Sequence, residues 1–404
     1  MSGLLLLDAY ATDWLNLLAR WLHVIAAIAW IGSSFYFIAL DNHLDPPADS
    51  EDAGRGVGGE AWEIHGGGFY HVQKYRVAPR TLPERLLWFK WEAYATWLSG
   101  FALLVVLYYL NADLYLIDRD VADLGPLAAT AISVGLLAAA WVVYDLLCRL
   151  LRGRELVLGA CLLGLTTLAA YGVSHLFSAR AVSIQVGAML GTMMAGNVLL
   201  NIIPAHRELI RAKEAGREPD PAPGIGAKQR SVHNNYLTLP VVLTMIATHF
   251  PFLYARERGW LVLVIGMLIG AWIRHFFNLR HTGRTVWAIP ATAALAIAGL
   301  AVAIRPGDVA PAGPAAGAVP FAEVKTIVER RCASCHSLAP TDESFPTAPK
   351  GIVLDTPEQI RTLAAAIEQQ SVRTKAMPLA NVTRMTQAER DRLGAWIRAG
   401  ARIK

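Results

Sequence analysis

The chain has 404 residues, of which 54% are apolar and only 17% charged, and it carries a formal charge of +5. Soluble domains usually have about 25% charged residues, so this balance excludes an ordinary water-soluble enzyme and predicts a membrane protein. The positive charge is small and dispersed, with no basic stripe interleaved with aromatics, which excludes nucleic acid as an expected partner.

The opening "MSGLLLL" has no basic residues ahead of its apolar run, and that run stops at Asp8, so it does not read as a cleavable signal. A membrane span needs roughly 20 mainly apolar residues. Eight stretches qualify: 14–40, 86–110, 125–147, 155–178, 181–203, 236–254, 260–279 and 285–304. They predict an all-α, polytopic membrane helix bundle over residues 1–304. "RPGDVAPAGPAAGAVP" then reads as a Pro/Gly/Ala linker over 305–319, followed by a small, polar, helix-patterned domain over 320–404.

Loop charge predicts orientation, because cytoplasmic loops collect Lys and Arg. Loops 41–85, 148–154 and 204–235 and the turn holding Arg280 and Arg284 are rich in them, whereas the opposite loops carry only Arg119, Arg180, Arg256 and Arg258. Both termini are therefore expected outside the cytoplasm.

Ionisable groups inside lipid are costly and mark candidate functional sites. His23, His175 and His249 fall in the outer parts of their spans and form an outer tier, which could hold a b-type haem between two imidazoles. Interfacial imidazoles satisfied by carbonyls or water are the alternative. Lys90, Glu92, Asn197, Asn201, His275 and Asn278 form an inner tier nearer the basic loops. Glu92 is a candidate proton acceptor. Gly187 and Gly191 read as a packing pair, and Cys148 and Cys161 as inert.

Two loops face the inner tier. "AWEIHGGGFYHVQKYRV" (61–77) alternates around three glycines, which predicts a β-hairpin presenting His65, His71, Lys74 and Arg76. His233, Asn234 and Asn235 stand at the expected mouth of the sixth span. They could cap a helix, or together read a planar ligand that offers both donors and acceptors.

In the tail, "RCASCHSLAP" contains C-x-x-C-H, the attachment pattern of a c-type haem. Cys332 and Cys335 would form the thioether links, and His336 the first axial ligand. A thioredoxin-like disulfide would need a βαβ frame, whereas the flanking sequences predict helices, the second capped by Thr386. The second axial ligand is expected in "KAMPLANVTRMT". Met377, before a proline in a loop, is preferred over Met385, which directly precedes the helix cap. Met/His ligation raises the reduction potential. Residues 320–404 resemble a class I cytochrome c.

At "WLHVIAAIAWIGSSFYFIALD", "GGGFYHVQKYRV", "LLWFKWEAYATWLSGF", "NVLLNIIPAHRE" and "SVHNNYLTLPVVLTMI" the chain resembles the membrane-bound urate hydroxylase family, in which a membrane domain is fused to a cytochrome c. The resemblance implies oxidation of urate to 5-hydroxyisourate. It also implies that electrons leave through the cytochrome to a respiratory terminal oxidase or a soluble cytochrome c, instead of passing directly to oxygen. Glu92, His233, Asn234, Asn235 and Lys74 are the expected urate-site residues on chemical grounds, since urate is a planar anion needing cations, amides and a base. The rival expectations are a membrane-anchored electron-transfer cytochrome and a quinol-oxidising haem protein.

Overall fold

A computed structural model describes residues 9–305, 319–342 and 344–403. The opening "MSGLLLL" and most of the expected linker (306–318) lie outside the described residues. The first helix, α1 (Ala9–Asn42), lies along α2 (Trp91–Leu104), which continues through a π-helical turn at Val105–Tyr109. Between them stands the expected hairpin, β1 (Val57–His65) and β2 (Gly68–Tyr75), antiparallel with His65 opposite Gly68. Gly66 and Gly67 close it with φ of +58° and +86°. A two-residue hairpin turn needs this left-handed backbone, and glycine adopts it without steric cost. The first strand starts earlier than alternation alone indicated, because Val57, Gly59 and Glu60 pair with Tyr75, Lys74 and Gln73 of β2. Glu60 also bridges to Asp45 outside the hairpin.

Five more helices complete the bundle: α3 (Pro126–Leu150), α4 (Glu155–Val173), α5 (Ala179–Asn197), α6 (Ala222–Ala247) and α7 (Gly259–His281). A shorter apolar helix, α8 (Ala288–Ala303), follows. The Ser178 hydroxyl caps α5 by accepting from the Ala181 amide. That helix runs on through a π turn at Val198–Ile202 into Ile203–Glu214. α6 packs between α5 and α7, and α3 packs on α5. Leu137, Tyr144, Val186, Leu190, Val264 and Met267 share the resulting core.

Six described helices are long and apolar enough to cross a membrane: Trp14–Asn42, Trp91–Tyr109, Pro126–Leu150, Glu155–Val173, Ala179–Glu214 and Gly259–His281. The other two expected spans are helical but differ. The sixth starts at Ala222 instead of 236, and Lys228, Arg230, His233, Asn234 and Asn235 make its first half polar. The eighth, α8, has 16 residues and is short for a span. The second span begins at Trp91, not 86, leaving Lys90 just outside the helix, where its ammonium lies 5.1 Å from the centre of the Trp88 ring.

The tail folds around its own core. Its helices are α9 (Phe321–Arg331), α10 (Pro357–Thr362), α11 (Ala364–Ile367, with a π continuation at Glu368–Arg373) and α12 (Gln387–Arg398). α9 packs on α12 around Val324, Val328, Ile360, Leu393 and Trp396. Thr386 and Glu389 form the capping box that opens α12. Asn381 donates to Asp120 at 2.9 Å, so the tail rests on the end of the bundle that carries loop 111–124. The hairpin is at the opposite end, where Lys74 and Lys228 both pair with Asp41 near the close of α1.

Candidate functional site

Three groups of side chains carry the candidate chemistry. The first lies in the tail. Cys332 ends α9, and the amides of Cys335 and His336 both donate to its carbonyl, so one tight turn holds the two thiols and the imidazole. Both cysteines are free. Burial, reinforced by Cys335, pushes the Cys332 thiol up to about 12, and burial also raises Cys335. The His336 Nδ1 lies 3.0 Å from the Ile352 carbonyl oxygen. A carbonyl can only accept, so Nδ1 carries the proton and Nε2 keeps a free lone pair, the tautomer an axial ligand requires. These residues could hold a covalent haem.

The two methionines differ in burial. Met385 is 3% exposed and packs in the tail core, whereas Met377 is half-buried in a loop and its carbonyl accepts from Arg390 at 2.7 Å. Met385→Ala should therefore cost the tail about 2–5 kcal/mol of stability, as core truncations do. Met377→Ala should leave stability nearly unchanged; where Met377 ligates a haem, its loss would lower that haem's reduction potential. Redox titration beside thermal denaturation separates the two effects.

The second group is buried in the bundle. Asn197 donates to the Tyr144 hydroxyl (2.9 Å) and to Asn234 Oδ1 (2.8 Å), and Asn234 donates to the Met194 carbonyl (3.0 Å). His233 Nδ1 lies 2.9 Å from the Tyr144 hydroxyl, and Arg230 pairs with Asp145 at 2.7 Å. This network joins α3, α5 and α6, and its amides are satisfied by their neighbours. Tyr144→Phe should cost about 1–3 kcal/mol by leaving buried partners unpaired, read as a lower melting temperature in detergent.

The third group is different because its polar atoms are left over. Arg274, 3% exposed, donates through Nε to Asn235 Oδ1 at 2.9 Å and stacks 3.7 Å above the Phe35 ring. Its Nη2 and the Nδ2 of the fully buried Asn235 have no hydrogen-bond partner. Nearby on α7, Asn278 Oδ1 is also unpaired, and its carbonyl accepts from Asn42. Glu92, in the first turn of α2, has a buried Oε2 without a partner. Arg274 lies over Phe35 of α1 and holds Asn235, and Asn278 meets Asn42 at the end of α1 through its carbonyl. Buried unpaired polar groups cost about 1–3 kcal/mol each, so the two donors, Arg274 Nη2 and Asn235 Nδ2, suit a ligand that accepts hydrogen bonds, whereas Asn278 Oδ1 and Glu92 Oε2 are acceptors.

His233, Asn234 and Asn235 therefore do not act as one reading head at a helix mouth. They sit inside α6, and successive helical residues diverge. His233 and Asn234 turn to the satisfied network, and Asn235 turns to Arg274. Lys74 is tied to Asp41 and is held at the hairpin. Arg274 was not singled out in the sequence, although a lone arginine inside "GAWIRHFF" is the very signal that should have marked it.

The outer tier also divides. His23 and His249 line one cavity of about 300 Å³. His175 is exposed, and its ring bonds back to the Tyr171 carbonyl at 2.8 Å. It does not line that cavity, so the expected trio is reduced to a pair.

The family described as urate oxidase N-terminal matches residues 9–305. No curated protein and no solved structure matches the chain.

Proposed function

Because the chain belongs to the urate oxidase N-terminal family, we propose that it oxidises urate to 5-hydroxyisourate in a bacterial inner membrane and passes the electrons out through a cytochrome c tail. Urate plus water yields 5-hydroxyisourate, two protons and two electrons. The electrons go to a respiratory terminal oxidase or a soluble cytochrome c. The family match carries the substrate class, and the apolar helices fit a membrane protein. The C-x-x-C-H turn and the His336 tautomer support the electron outlet.

Within the bundle, the unpaired donors of Arg274 and Asn235 are the best-supported urate contacts. The guanidinium would neutralise the urate anion, and the amide N–H would meet a ring carbonyl or a deprotonated nitrogen. Glu92 would take a proton during oxidation, which suits a carboxylate whose buried oxygen has no other partner. A haem on Cys332 and Cys335 supplies one-electron redox chemistry when bound. The chain's own part is to hold His336 with Nε2 free and to keep Met377 available.

Peroxide separates this route from direct use of oxygen. Membranes carrying the protein should consume urate in air without accumulating hydrogen peroxide, the terminal oxidase reducing oxygen to water. Peroxide formed mole for mole with urate would refute the proposed outlet.

A further inference from the structure

We propose that the cavity between α1, α2, α5 and α6 binds one non-covalent b-type haem, with His23 and His249 as axial ligands and Arg20 and Arg180 facing its propionates. His23 Nδ1 lies 3.0 Å from the Thr96 carbonyl and 3.1 Å from the Ser99 hydroxyl. The carbonyl fixes the proton on Nδ1 and leaves Nε2 as a free lone pair, the same arrangement as at His336. The His249 ring has no hydrogen-bond partner among the described residues, yet it lines the same cavity.

The walls suit a flat macrocycle. They are mostly apolar, and small residues open the space at Gly100, Gly191, Ala27 and Ala188. A Cβ on Gly100 would come within 2.9 Å of the His23 ring, so glycine there lets the imidazole sit against α2. A Cβ on Gly191 would meet nothing within 4 Å, so that face of α5 is open. Gly187, by contrast, is in tight contact with Thr244, as a packing glycine should be.

Charge narrows the ligand. Arg20 and Arg180 line the cavity, and no carboxylate does among the described residues. Arg180 Nε is buried without a partner. Arg20 donates to the neutral Asn16 and Arg180 stacks on Tyr115, so neither charge is ion-paired among the described residues. Two such guanidiniums beside an apolar slot call for a ligand with an apolar body and an anionic rim, which haem has and a quinone lacks. Urate is anionic but too small and polar for these walls.

Position gives the haem a task. Arg180 also lines a second cleft, of about 820 Å³, shared with Thr374, Asn381 and Arg390 of the tail. A haem held by His23 and His249 would lie between the inner urate contacts and the tail, and would divide a bilayer of roughly 30 Å into shorter electron steps. Its iron would accept one electron at a time and pass each to the tail haem, cycling between ferric and ferrous. The relay rests on the proposed urate reaction, whereas the binding of haem does not.

The test counts haem on the purified full-length protein without urate. Acidified acetone extracts non-covalent haem and leaves thioether-linked haem on the chain. The wild type should release one b-type haem per chain and show a low-spin, bis-imidazole ferric signal by electron paramagnetic resonance. His23→Ala and His249→Ala should each lower the retained haem at least about tenfold, the scale of losing metal-site support. Gly191→Leu keeps both imidazoles and fills the slot, and it should lower the extractable haem likewise while eluting from size exclusion as the wild type does. Release of no haem, release of quinone instead, or wild-type haem content in His249→Ala would overturn the proposal. None of these results depends on whether urate is the substrate.

Discussion

Replacing Cys332 and Cys335 together with serine should remove all haem that resists acid acetone and abolish urate-dependent oxygen consumption. The two thiols share one turn at the end of α9, and no other cysteine lies in the tail. Loss of both links leaves only the two axial ligands, His336 and Met377, and no covalent bond to hold the porphyrin in place. The bundle should still fold, because its core of Leu137, Tyr144, Val186 and Met267 has no members in the tail core. Urate should therefore still bind to the double variant, measurable by equilibrium dialysis, while turnover stops. Turnover at the wild-type rate in a chain without covalent haem would mean that electrons leave by another path.

Arg274→Ala should lower kcat/KM for urate by about 100- to 1,000-fold, or ~3–4 kcal/mol, the usual scale for removing one partner of a buried charged contact. Most of that loss should appear in KM, because the guanidinium meets the anion in the ground state as well as during oxidation. Arg274→Lys should recover only part of it. A lysine restores the charge but cannot donate to Asn235 and to urate in the planar, forked geometry of arginine. The two variants should leave the covalent haem untouched, which separates a binding defect from a folding or maturation defect. Equal loss in Arg274→Ala and in a neighbouring Trp272→Leu control would show that the effect is one of packing.

The parts of this molecule that were legible from sequence are those whose signals are local. C-x-x-C-H is five adjacent residues, and its chemistry needs only one turn. The hairpin announced itself through alternation around Gly66 and Gly67, and the helix cap at Thr386 through its spacing to Glu389. Hydropathy found every long apolar helix, but it misjudged α6. There a polar first half belongs to the same helix as the apolar second half, and hydropathy averages cannot see that polar groups are satisfied across helices. Asn234 looks exposed in a sequence and is buried because its side chain accepts from Asn197 and donates to the Met194 carbonyl.

The candidate urate contacts were the least legible for the same reason. Asn235 and Arg274 are 39 residues apart and meet only through the packing of α6 on α7. Consecutive letters in His233, Asn234 and Asn235 suggested a shared purpose, whereas the helical repeat sends them in different directions. Depth along the helix was a better guide than adjacency. It put His23 and His249 in one tier, and the cavity wall holds both. It could not exclude His175, which lies just past the end of α4, exposed, with its ring on the Tyr171 carbonyl.

Urate's electrons should reach the tail. Anaerobic addition of urate to the purified protein, followed by optical spectroscopy, tests it most directly. The covalent haem should become reduced within the turnover time, with two haem equivalents reduced for each urate consumed. An oxidised tail haem after the urate has been converted would contradict the account.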